Sequence, residues 1–86
     1  MKTITIHRTT IVGRCPHGCA DIYAAELHVR NRVLRVEDIA AAIVILTGEP
    51  IYQEDLTQRL ANELRCKVVT TGRHGQFETT CTAEPE

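Results

Sequence analysis

The chain has 86 residues, enough for one small domain and too few for a second core, so residues 1–86 are expected to form a single unit. Its apolar and charged fractions, 43% and 24%, are those of a globular protein and exclude a disordered chain. The net charge of −1, with no run of Lys or Arg, speaks against autonomous binding to nucleic acid, and no stretch reaches the ~20 apolar residues of a membrane span. No export signal precedes the first strand pattern, so a cytoplasmic location is expected, with the four cysteines as thiols or ligands rather than disulfides. Tyr23, Tyr52 and Phe77 are the only aromatic side chains, and there is no tryptophan. The core must then be built from Ile, Val, Leu and Ala, which makes a lone monomer marginal and a homo-oligomer the expected state.

From Thr3 to Val12 the side chains alternate, Ile4 and Ile6 on one face and Thr3, Thr5 and His7 on the other, and Gly13 follows the run. Ile22 to Leu34 alternates again: Tyr23, Ala25, Leu27 and Val29 make a dry face, while Ala24, Glu26, His28 and Arg30 make a polar one. Arg30-Asn31-Arg32 suggests a kink near the end. Val36 to Thr47 begins with Glu37 and Asp38, continues through Ala40-Ala41-Ala42 and stops at Gly48, the pattern of a helix. That helix is apolar nearly all round, which predicts burial on more than one side, with a partner subunit as part of the cover. Pro50 is placed to start a second helix, whose Tyr52, Leu56, Leu60 and Leu64 recur every four residues while Gln53, Asp55, Gln58, Arg59 and Glu63 lie on other faces. Cys66 to Thr71 returns to strand, Gly72-Arg73-His74-Gly75 has the composition of a hairpin connection, and a last strand runs from Gln76 to about Ala83. The order strand, strand, helix, helix, strand, strand predicts an α+β domain: a four-stranded antiparallel sheet with two helices on one face. The other face, carrying Glu26, His28 and Arg30, is expected to be polar and open.

Between the first two strands lies Cys15-Pro16-His17-Gly18-Cys19-Ala20-Asp21, which packs two thiols, an imidazole and a carboxylate into seven residues. Pro16 fixes its own φ and Gly18 permits conformations that other residues avoid, so the loop can aim side chains. Three readings stay open on the residues alone. The stretch can be a polar turn that happens to hold cysteines. It can hold zinc through Cys15, His17 and Cys19, with His28, His74 or Cys81 as a fourth ligand, although the matched second pair usual for zinc is missing. It can also carry a nucleophile, since a thiolate adds readily to an electrophilic carbon.

This topology, with Cys15-Pro16 followed by Asp21, with Tyr52-Gln53-Glu54-Asp55-Leu56-Thr57 and with Thr71-Gly72-Arg73-His74-Gly75, resembles the tunnelling-fold (T-fold) family of pterin and purine enzymes, over about Ile4 to Ala83. Its members include GTP cyclohydrolase I, 6-pyruvoyltetrahydropterin synthase and the nitrile reductase of 7-cyano-7-deazaguanine, and their subunits assemble into oligomeric barrels with active sites between neighbours. The resemblance implies that Cys15 is the nucleophile and Asp21 the proton donor of the nitrile reductase branch, although the Cys-to-Asp spacing is one residue shorter here. It implies that Glu54, with Gln53, holds a guanine-like or pterin-like edge; His74 of the last hairpin is a further candidate to line the pocket, against the plain reading of a solvated hairpin histidine.

Two departures narrow the expectation. The Ser- and Lys-rich nicotinamide motif of the reductase has no counterpart near Arg35-Val36-Glu37-Asp38, and the Cys-Glu-His-His metal motif of the cyclohydrolase is absent because Cys15 is followed by Pro-His-Gly. The chain looks more like the amidinotransferase-like branch of archaeosine formation, in which the same cysteine forms a thioimide and ammonia replaces hydride. No cofactor is then expected. The alternatives are a zinc-dependent cyclohydrolase or pterin-type enzyme, and a non-catalytic purine- or pterin-binding oligomer. A tRNA substrate is implied by that branch but not supported by the charge of the chain.

Overall fold

In a computed structural model describing residues 1–86, the alternating segments become strands β1 (Ile4–Arg14), β2 (Ala20–Arg30), β3 (Lys67–His74) and β4 (Phe77–Ala83), with helices α1 (Val36–Thr47) and α2 (Gln53–Leu64) between the two hairpins. The strands lie in sequence order in one antiparallel sheet. This is the β-β-α-α-β-β arrangement expected from the sequence.

The dry face of β2 is the floor of the core. Tyr23, Ala25, Leu27 and Val29 are buried, joined by Ile11 of β1, Val68 of β3 and Ala83 of β4. Onto that floor α2 lays Leu56, Leu60, Ala61 and Leu64, and α1 lays Ile39 and Ala42. Apolar area removed from water at these positions is the main stabilising term, at roughly 25 cal/mol per Å². Polar contacts supplement this: Thr57 Oγ1 and Thr70 Oγ1 share a hydrogen bond of 2.7 Å between α2 and β3, and Arg32 donates to the carbonyls of Leu64 and Arg65 at the C-terminus of α2. Arg65 caps that helix in the left-handed region, φ 57°.

Several local expectations are corrected. β1 continues through Gly13 to Arg14, because Gly13 stands opposite Asp21 in the hairpin ladder. β2 ends at Arg30, four residues before Leu34, with Asn31 at φ 59° closing it. Pro50 precedes α2 rather than starting it; Tyr52 is the residue before the first turn and is half exposed, so the buried stripe begins at Gln53. The second hairpin turns at Gly75-Gln76, because Gly72, Arg73 and His74 belong to β3 and His74 pairs with Phe77. Gly72 serves β3 differently from a turn glycine: a Cβ there would meet Tyr23 Cδ1 at 2.5 Å.

The open face of the sheet is polar only at its centre. Arg8 donates to Glu26 at 2.9 Å and His28 lies 3.1 Å from the same carboxylate, which holds the Glu26 carboxyl below its usual range. Around this centre Ile4, Ile6, Val12 and Ile22 are exposed on the same face. On α1, Val44 and Ile45 are 69% and 76% exposed, so the all-round apolar character of that helix is satisfied on one side only within a single chain.

Candidate functional site

The β1–β2 connection is a tight turn. Cys15 N donates to Cys19 O and Gly18 N donates to Cys15 O, both at 2.9 Å, and Gly18 takes φ 89°, which a side chain would strain. Ile51 N donates to Arg14 O at 2.8 Å, tying the entry of α2 to the end of β1. The Tyr52 ring then stands edge-on to His17, with centroids 6.4 Å apart. These links bring the cysteine turn, the first turn of α2 and the end of β3 around a cavity of about 250 Å³.

Cys15, Asp21, Gln53, Glu54 and His74 all line that cavity, together with His17, Tyr23, Tyr52 and Thr79. The five residues expected to act on or hold a substrate are thus brought to one place from three separate segments, whereas the candidate ligands His28 and Cys81 lie outside it. Cys19 is the exception among the loop ligands; it is exposed and lies outside the lining. Its thiol is raised above the usual cysteine range, first by its hydrogen bond to the Cys15 sulfur and then by charge on Cys15. No group of three or more His, Cys, Asp or Glu side chains lies close enough together to hold a metal ion.

Asp21 is buried, and both of its oxygens are engaged. Tyr23 Oη donates to Oδ2 at 3.1 Å, and His74 Nε2 lies 3.5 Å from Oδ1. His74 reaches this position because it is a strand residue: Tyr23 pairs with Gly72, and the same register carried two residues on sets His74 beside Asp21. Burial, followed by the hydrogen bond to Asp21, pushes the Tyr23 phenol well above its ordinary range, so it remains a donor.

Gln53, expected on an outer face of α2, is instead buried at its base. Nε2 donates to Thr70 O (3.2 Å), Thr70 Oγ1 (3.1 Å) and Thr79 O (3.0 Å). With the amide nitrogen committed to the strands, Oε1 is left buried without a partner. An orphaned acceptor costs about 1–3 kcal/mol, a cost that a ligand N–H would relieve. Glu54, the next residue, is exposed in the first turn and adds a carboxylate to the same wall. Tyr23 and Thr79 were not singled out by sequence; Tyr23 looks like plain core there. The signal was available, since Tyr23 is two residues from Asp21 on one strand and so shares its face.

No family model matches the sequence, and no curated protein matches it. Among solved structures, the chain superposes with a TM-score of 0.87 and 19% identity on the archaeosine synthase QueF-Like in its apo form, covering 99% of this chain and 95% of that one. The chain has a T-fold. At this identity the likeness is one of fold, and the T-fold hosts more than one chemistry, so activity has to be argued from the cavity. No helix of this T-fold chain is long and apolar enough to cross a membrane.

Proposed function

We propose that the chain is an enzyme of 7-deazapurine chemistry that binds a guanine-like heterocycle in this cavity and converts its nitrile to an amidine through a thioimide on Cys15. The observation that carries the reading is the convergence of Cys15, Asp21, Gln53, Glu54 and His74 on one cavity from three segments. The fold likeness to an archaeosine synthase supports it, and so does the missing nicotinamide motif, which leaves ammonia or another amine as the attacking group. The net charge of −1 favours a free base or nucleoside over tRNA as substrate.

In the proposed sequence the Cys15 thiolate adds to the nitrile carbon as the Asp21 carboxyl gives its proton to the nitrile nitrogen, leaving a thioimide and an Asp21 carboxylate. Ammonia then adds to the thioimide carbon and gives a proton to Asp21. The C–S bond breaks, the amidine departs, and the thiolate and carboxylic acid are restored. Glu54 accepts hydrogen bonds from the N–H edge of the heterocycle, and Gln53 Oε1 accepts one more. Glu54→Gln is expected to weaken binding of 7-cyano-7-deazaguanine by ~2 kcal/mol or more, as loss of a charged acceptor does. Calorimetric titration checks this, and unchanged affinity removes Glu54 from the anchor role.

The decisive experiment is intact-mass spectrometry of the purified protein after incubation with 7-cyano-7-deazaguanine, run beside metal analysis. One nitrile added per chain is the expected result. Stoichiometric zinc with no adduct overturns the reading in favour of a cyclohydrolase-like site, while reversible binding with neither adduct nor metal points to a non-catalytic binder. We further propose that the working unit is a homo-oligomer, because α1 exposes Val44 and Ile45, and β1 and β4 are unpaired edges. Light scattering at micromolar concentration should give a mass several times 9.6 kDa, and a stable monomer would refute the oligomer.

A further inference from the structure

We propose that Tyr23 is a positioning residue that decides which oxygen of Asp21 exchanges the proton, with Gly72 providing the room that lets it do so. This deepens, and rests on, the cysteine–nitrile reading of the cavity. Tyr23 is 1% exposed and its hydroxyl donates to Asp21 Oδ2 at 3.1 Å. Held as a phenol at all ordinary pH, it keeps that donation through the reaction. An oxygen that accepts a hydrogen bond in this direction is not the one that carries the carboxyl proton. The proton therefore resides on Oδ1, which lies 3.5 Å from His74 Nε2 at the cavity wall.

The arrangement depends on a pair of positions rather than on one. Tyr23 stands opposite Gly72 in the β2–β3 ladder, and its ring occupies the space that any side chain at Gly72 would need, 2.5 Å from Cδ1 and 2.9 Å from Cε1 of the ring. Gly72 has no positive φ to justify a glycine, so the close approach of the ring is the reason for it. Seating a large ring over a glycine sets the hydroxyl two residues along the strand face, at Asp21. Without the Tyr23 hydroxyl nothing fixes the carboxyl in its plane or keeps the proton on Oδ1, and the acid is no longer held toward the nitrile.

Four proteins test this: the parent, Tyr23→Phe, Asp21→Asn, and the double variant. The rate of adduct formation with 7-cyano-7-deazaguanine is read by intact mass and ligand affinity by calorimetry. Tyr23→Phe is expected to slow adduct formation on the order of tenfold or more while leaving affinity within about twofold, as misplacement of a general acid does. It should add no further slowing on top of Asp21→Asn. Independent, multiplicative effects overturn the proposal, as does a loss of affinity that accounts for the loss of rate. Gly72→Ala should reproduce the slowing by displacing the ring; if that variant fails to fold, the Tyr23→Phe comparison decides alone. A parent that takes up no nitrile overturns the reading of the site instead. The link is then judged by thermal unfolding of the same four proteins, where non-additive stabilities support the Tyr23–Asp21 contact and additive ones overturn it.

Discussion

Cys15→Ala is expected to abolish the nitrile adduct completely, whereas Cys19→Ala keeps it. Only Cys15 lines the cavity with Asp21 and Glu54, while Cys19 is exposed outside it and its thiol is held up by the neighbouring sulfur. A thiol outside the cavity cannot reach a nitrile bound inside it, so Cys19 does not substitute for its neighbour. Asp21→Asn should slow adduct formation by about a hundredfold or more, since an amide does not return the proton that a carboxyl gives. The three variants also separate covalent chemistry from a zinc site. Zinc held through the turn would need His17 or Cys19 and tolerate loss of Asp21, the reverse of the expected pattern. Intact mass on each protein, with metal content measured alongside, gives the result in one series. An adduct that survives Cys15→Ala, or vanishes in Cys19→Ala, would sink the assignment.

The largest effect on stability is expected at Leu60. It is 0% exposed, and α2 sets it among the buried side chains of β2, β3 and α1. Truncation to alanine removes the transfer energy of three methyl or methylene groups and leaves a cavity that a small sheet-and-helix core closes only in part. Losses of about 2–5 kcal/mol are typical of such sites. A domain of this size has about 5–15 kcal/mol in total, so at the middle of both ranges Leu60→Ala should remove about a third of it. Urea unfolding at fixed protein concentration should show a lower midpoint with little change in slope. Val44→Ala is the control: Val44 is 69% exposed in the single chain, and the same measurement should move by far less unless a partner subunit covers it. A Leu60→Ala midpoint within error of the parent would mean that the core does not depend on α2.

How much of this was legible without coordinates depends on the distance over which each feature is determined. The alternation from Tyr23 to Val29 marks two faces because side chains on a strand point to opposite sides, and the four-residue recurrence of Leu56, Leu60 and Leu64 marks one face of a helix. Cys15, His17 and Asp21 are close because they are close in the chain. The order of elements and the antiparallel sheet followed from these local patterns, and the structure has both.

The rest needed a partner segment. Alternation in β1 separates Ile4 and Ile6 from Thr5 and His7, but only the placement of the helices decides that the isoleucines are on the open side. Gly72 and Gly75 look alike as turn residues. The ladder assigns Gly75, at φ 62°, to the turn and Gly72 to the space taken by the Tyr23 ring. His74 becomes a neighbour of Asp21 through the register of β2 against β3, and Gln53 is buried because Thr70 and Thr79 bind its amide across the layers. The sequence by itself determined the elements, their order and the chemically armed turn, since each rests on neighbours within a few residues. Only the tertiary structure decided which oxygen of Asp21 meets Tyr23, where His74 stands and which side of the sheet is covered, because register and layer packing are set by contacts between segments distant in the chain.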